Sequence, residues 1–121
     1  MTKPRIVAID DEADFIAMLE SYFVPRGYDI HFALRGARGI ELIKEHKPDV
    51  VLMDLKMPGV DGDEVMKMMH EMSPQPKVIF VTAYDDGGKT TARLLRMGAL
   101  ACFDKPIQSL KALEEAISKA V

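Results

Sequence analysis

The chain has 121 residues, 48% of them apolar and 29% charged, with a formal net charge of −3. This is the size and balance of one soluble globular domain with enough chain to bury a core. The mild acidity argues against nucleic-acid binding, which draws on a basic face, and no apolar run approaches the length that crosses a bilayer. A single cysteine, Cys102, excludes an internal disulfide and fits a reducing cytoplasm. Near the start only RIVAI is apolar and acids follow at once, unlike a secretory signal.

Along the chain, short apolar runs alternate with longer amphipathic ones. RIVAID (5–10) predicts a strand buried on both faces. A helix over about 12–25 follows, because Phe15, Met18, Leu19, Tyr22 and Phe23 recur at the spacing of one core-facing stripe. Ile16 and Val24 fall off that stripe, toward solvent or a partner. Gly27 lies just past this helix, where a left-handed residue is needed. YDIHFA (28–33) alternates and suits an edge strand, and a second helix spans about 36–46.

VVLMD (50–54) is a third buried strand, stopped by Pro58 and Gly59. A helix over about 62–72 has Asp61 as its cap and Glu64 three residues on, a box-like arrangement with acids at the positive dipole end. Its methionine-dense stretch, MKMMHEM (66–72), predicts core filling. KVIFVT (77–82) is the fourth strand. The glycine-rich DDGGK (85–89) gives a helix over about 88–97 a pliable start. Gly98, a fifth strand at LACF (100–103) and a helix over about 107–120 complete the chain. His31, His46 and His70 lack metal-ligand spacing, and Lys89, Arg93 and Arg96 read as a solvated basic face. Five strands alternating with five helices predict an α/β domain: a doubly wound parallel sheet covered on both faces.

Ligands on such open sheets sit outside the carboxyl ends of the strands. Those ends carry Asp10, Asp11 and Glu12, then Asp54, Thr82 and Lys105-Pro106. Carboxylates that close repel one another unless a cation joins them, and Mg²⁺ takes carboxylates, waters and a phosphate oxygen. Thr82 and Lys105 are donors suited to the oxygens of a phosphoryl group carried on a carboxylate. That makes Asp54 the candidate nucleophile, since aspartyl phosphates are known covalent intermediates. Singly, each feature has a bland reading: an acidic helix start, a β-branched strand end, a Lys-Pro turn. Together, in this chain order, they point to phosphoryl chemistry.

The segments VAIDDE (7–12), GYDIHFA (27–33), PDVVLMDLKMPGVDG (48–62), VIFVTAYDD (78–86) and GALACFDKPI (98–107) carry a further signal. Through them the chain resembles the receiver domain of two-component response regulators over essentially its whole length, residues 1–121. The resemblance implies a flavodoxin-like fold with strand order 2-1-3-4-5. It implies that Asp54 accepts a phosphoryl group from a sensor histidine kinase or histidine phosphotransfer protein. Mg²⁺ would be held by Asp10, Asp11, Asp54 and the backbone carbonyl of Lys56. Lys105 would pair with the acids at rest and with phosphoryl oxygen after transfer, preceding a cis Lys105-Pro106 bond. Thr82 would turn toward the phosphoryl group, with small Ala83 leaving room. The family has no external turnover substrate, and its face of helix four, strand five and helix five can serve self-association or effector contact.

One position departs from the pattern. Three residues before the lysine the family usually has an aromatic, whereas this chain has Cys102, which reads as a small buried hydrophobe. Phe103 cannot replace the ring, because neighbouring strand residues face opposite ways. The readout is therefore expected to run through the loop Tyr84 to Lys89, hinged on Gly87 and Gly88. Two other functions stay in view. A dehalogenase-like hydrolase would place a second acid two residues after the nucleophile, where this chain has Lys56. A flavodoxin-like cofactor binder would need glycine and hydroxyl donors after strand one, where DDEAD is acidic.

Overall fold

The unbroken apolar runs become the three central strands. The computed structural model describes residues 3–83 and 86–120. Its elements run β1 (Arg5–Ile9), α1 (Ala13–Phe23), β2 (Asp29–Ala33), α2 (Gly36–His46), β3 (Val50–Met53), α3 (Gly62–Met69), β4 (Lys77–Thr82), α4 (Lys89–Arg96), β5 (Ala101–Asp104) and α5 (Leu110–Ser118). The strands are all parallel in the order β2-β1-β3-β4-β5, the doubly wound sheet the sequence predicts. No helix among the described residues is long and apolar enough to cross a membrane.

Strand residues alternate between two packed faces, as the pleat requires. Val7, Ile9, Val51, Met53, Val78 and Phe80 meet the buried side chains of α2, α3 and α4. Ile6, Ala8, Val50, Leu52, Ile79 and Val81 meet Leu19 and Phe23 of α1 and Leu113 and Ile117 of α5. Phe80 is fully buried at the centre, and truncating a core phenylalanine to alanine costs about 3–5 kcal/mol. The fifth strand obeys the same alternation. Cys102 packs on the α2–α4 side and Phe103 on the α1–α5 side, both half-buried.

Helix ends follow local chemistry. Asp61 accepts the Glu64 N–H and starts α3, while Ser109 accepts the Ala112 N–H and starts α5 at Leu110, three residues later than the periodicity suggests. α1 stops at Phe23 rather than 25, ahead of Pro25, and Gly27 follows in the left-handed region at φ 86. α3 stops at Met69 rather than 72, shortly before the cis Ser73-Pro74 bond. α2 is closed by Lys47 at φ 48, an uncommon conformation for a residue with a side chain.

Two surface expectations change. Ile16 is half-buried against the α1–α5 core, whereas Val24 is exposed. Arg93 is not merely solvated: its guanidinium meets both oxygens of Asp63, tying α4 to α3. His31 and His46 stack nearly parallel with ring centres 3.6 Å apart, and His31 Nε2 meets Asp29 Oδ1 at 2.9 Å.

Candidate functional site

The sheet carries its hydrogen bonding one residue past three strand ends, and this fixes the site. The Asp10 N–H donates to the Ala33 carbonyl at 3.0 Å, the Asp54 N–H to Ile9 at 3.2 Å and the Lys105 N–H to Thr82 at 3.1 Å. Asp10, Asp54 and Thr82 are thereby held buried at the carboxyl rim. The loop after Asp54 folds back on itself. Gly59 takes φ 78, and Gly62 at the start of α3 donates its N–H to the Leu55 carbonyl at 2.9 Å. Gly62 has no room for a side chain: a Cβ there would lie 2.6 Å from the Asp54 carbonyl oxygen.

One ammonium gathers the acids. Lys105 Nζ lies 2.8 Å from Asp10 Oδ2 and 3.0 Å from Asp54 Oδ2, and it also pairs with Glu12 Oε1. It sits 4.7 Å from the centre of the Phe15 ring, and the Lys105-Pro106 bond is cis, as the resemblance implies. Asp10 Oδ1 accepts the Glu12 N–H, and Asp54 Oδ1 accepts the Lys56 N–H at a long 3.4 Å. Burial pushes the Asp10 carboxyl up, the Lys105 ammonium pulls it down, and the neighbouring Asp54 charge pushes it up again, so the net shift is upward. Burial works against the Lys105 ammonium, yet the carboxylates of Asp10, Glu12 and Asp54 around it outweigh that and raise it above its ordinary range.

The acids fit a hard divalent cation. Among the described residues, Asp10, Glu12 and Asp54 bring one oxygen each to within 4.8 Å of one another. The buried Asp10 Oδ2 has the ammonium near it but no hydrogen bond of favourable direction. A buried carboxylate oxygen left in that state is what an oxygen-seeking ion satisfies. Asp11 is half-buried beside this group but is not one of the three convergent acids, and the Lys56 side chain is exposed.

The sequence puts Glu12 in the acid cluster of the strand-end rim, with a helix-start acid as its bland reading, but gives it no role at the site. The available signal was its residue type, since glutamate is a poor N-cap, and here it makes no side-chain cap bond. Thr82 opens onto a cavity of about 600 Å³ that reaches Ala92 and Leu95 of α4 and Asp104 of β5. Of the expected switch loop, Tyr84 and Asp85 lie outside the described residues. Beyond them Asp86 accepts the Thr90 N–H and hydroxyl, which hold its carboxyl below the usual range, and Gly87 and Gly88 are left-handed at φ 75 and 88.

The sequence pattern of the response regulator receiver domain family matches residues 6–118, and the chain belongs to that family. It is 30% identical over 119 residues to sporulation initiation phosphotransferase F of Bacillus subtilis, covering 98% of this chain and 94% of that protein. It is 37% identical over 102 residues to the regulatory protein AtoC of Escherichia coli, 84% of this chain but 22% of that longer one. Among solved structures, a CheY-like response regulator receiver domain protein from Methanospirillum hungatei superposes with a TM-score of 0.85. The two are 27% identical, with 99% of this chain and 94% of that chain covered. The response regulator domain of Thermotoga maritima CheB gives a TM-score of 0.80 at 31% identity, covering 99% and 96%.

Proposed function

We propose that the chain, as a single receiver domain over residues 1–121, is a phosphorylation switch whose phosphoacceptor is Asp54. The observation that carries this is the buried Asp54 carboxylate, held 3.0 Å from the Lys105 ammonium on a rim it shares with Asp10 and Glu12. An Asp54 oxygen attacks the phosphorus of a phosphohistidine on a sensor kinase or phosphotransfer protein. The new O–P bond forms as the P–N bond breaks, and the electron pair leaves on the donor's imidazole. Asp10, Asp11, Asp54 and the Lys56 carbonyl are the proposed holders of Mg²⁺, which when bound neutralises the acids and orients phosphoryl oxygens. Lys105 supplies positive charge to one phosphoryl oxygen, and the Thr82 hydroxyl turns to donate to another.

The output is conformational. Thr82 lines the cavity under α4, so its movement is felt at the glycine hinge that starts that helix. Leu95, which lines that cavity, and Leu100, just ahead of β5, are exposed and support self-association or effector contact on the α4, β5 and α5 face. No turnover substrate is needed, and a reducing cytoplasm suits the free Cys102. The test is acetyl phosphate with Mg²⁺, followed by intact mass. The expected result is one acid-stable, base-labile phosphoryl group that Asp54→Ala abolishes. Equal labelling of that variant overturns the proposal.

A further inference from the structure

An ammonium has three hydrogens to donate. At rest the Lys105 ammonium donates to Glu12 Oε1 and Asp54 Oδ2, with Asp10 Oδ2 2.8 Å away but outside a favourable donor direction. A phosphoryl group on Asp54 would bring three strong acceptor oxygens and close to two negative charges into the same space. The Asp54 carboxylate is itself the phosphoryl carrier, so for Lys105 to turn to the new oxygens its bond to Glu12 has to loosen.

The three acids are not equally free to let go. Asp10 is buried at 2% exposure and its other oxygen is tied to the Glu12 N–H at 2.9 Å. Asp54 is the phosphoryl carrier itself. Glu12 differs: its side chain is 61% exposed while that of Lys105 is 9% exposed, so it reaches the ammonium from the solvent side. Its carboxylate returns to water with little desolvation change. It stands at the N-cap of α1 yet makes no cap bond, its side chain going instead to a partner 93 residues away. The Phe15 ring, 4.7 Å from the ammonium, gives the lysine tip a further contact that does not depend on Glu12.

We infer that Glu12 is a positioning residue for Lys105: it holds the ammonium on the acid cluster at rest and releases it when Asp54 is phosphorylated. The inference rests on the reading of Asp54 as the phosphoacceptor. Glu12 then slows transfer in two ways, by occupying the ammonium and by placing a negative charge at the mouth through which an anionic donor approaches. Although one of its oxygens lies within 4.8 Å of one on Asp10 and one on Asp54, the Glu12 carboxylate serves the ammonium rather than a cation.

The test is Glu12→Gln, which keeps shape and removes charge. With acetyl phosphate at saturating Mg²⁺, Asp54 of the variant should label about two- to fivefold faster, the scale of an exposed ion pair. High salt should narrow the gap, and the Mg²⁺ concentration for half-maximal labelling should stay the same. Slower labelling with a raised Mg²⁺ requirement makes Glu12 a metal ligand and overturns the inference. An unchanged rate reduces it to a helix-start acid and overturns it equally. A second readout needs no phosphorylation: the ¹⁵Nζ resonance of Lys105, assigned by its loss in Lys105→Arg. Glu12→Gln should shift that resonance and quicken its proton exchange with water, and an unmoved resonance refutes the contact. If wild-type protein is never labelled at Asp54, the phosphoacceptor reading fails, while the ammonium resonance still decides whether Glu12 holds Lys105.

Discussion

At the two ends of one face of the sheet, carboxylates are treated in opposite ways. Near its amino end, Glu114 of α5 is satisfied. One oxygen accepts the Tyr22 hydroxyl and the other the Tyr28 hydroxyl, both at 2.7 Å. These bonds hold the Glu114 carboxyl below its ordinary range, Tyr28 most strongly. Burial, then Glu114, pushes Tyr28 up to about 12. At the carboxyl end, Asp10, Glu12 and Asp54 share one ammonium, and a buried Asp10 oxygen lacks a well-directed donor. The first arrangement clasps α1, the start of β2 and α5 together. The second keeps like charges close at a cost in stability, as sites held for a ligand do.

The largest effect expected is at the crowded end. Asp54→Asn removes one negative charge and leaves Lys105 with two partners, so the metal-free protein should gain about 1–2 kcal/mol in urea denaturation. The wild type should gain about 1.4 kcal/mol when Mg²⁺ stands at tenfold its dissociation constant, and Asp54→Asn should lose most of that gain. A destabilised Asn variant would mean that the cluster is a structural ion pair like any other.

At the satisfied end the sign reverses. Glu114→Ala should cost about 1 kcal/mol, a figure kept low because the site is partly exposed. Its pH dependence follows from the shifts. Glu114 is depressed when folded, so its contribution is present above the ordinary glutamate range near 4.3 and is lost as pH falls below it. Tyr28 is raised when folded, so its contribution is complete below about pH 10 and is lost as pH rises through about 12. Stability curves of wild type and Glu114→Ala should converge at both extremes. A constant gap across pH would remove the hydroxyl–carboxylate clasp from the account.

The smallest effect is a redistribution of amide shifts. Comparing resting and beryllofluoride-treated protein by NMR, residues 83–97 should move more than those around Cys102 and Phe103. Thr82→Ala should suppress the movement. Changes centred on β5 would return the readout to the strand despite its missing aromatic.

Much of this was legible because it is written in local patterns. Unbroken apolar runs mark the central strands, period 3.6 marks the helices, and the strand ends carry Asp10, Asp54, Thr82 and Lys105. What stayed hidden depends on approach between distant segments. The Glu12–Lys105 pair and the Tyr22–Glu114–Tyr28 clasp join residues roughly ninety positions apart. Ile16 looked solvent-facing on a helical wheel, but the core rises around it. The ends of α3 and α5 moved inward because caps and prolines, not periodicity, decide where a helix stops.

From Asp54 through the first residue of α3 stand two glycines three positions apart that are required for unrelated reasons. Gly59 has open space around it and a φ of 78, so what it lacks is tolerance of a conformation. Asparagine and aspartate visit that region more readily than other residues and are the natural replacements. Gly62 is the reverse: its backbone is ordinary and the obstruction is the Asp54 carbonyl, which the first side-chain carbon of any other residue would strike. In a saturation library the two columns should therefore look different, graded by residue type at 59 and uniformly depleted at 62. Sequence drift through this stretch has one narrow passage and one closed door.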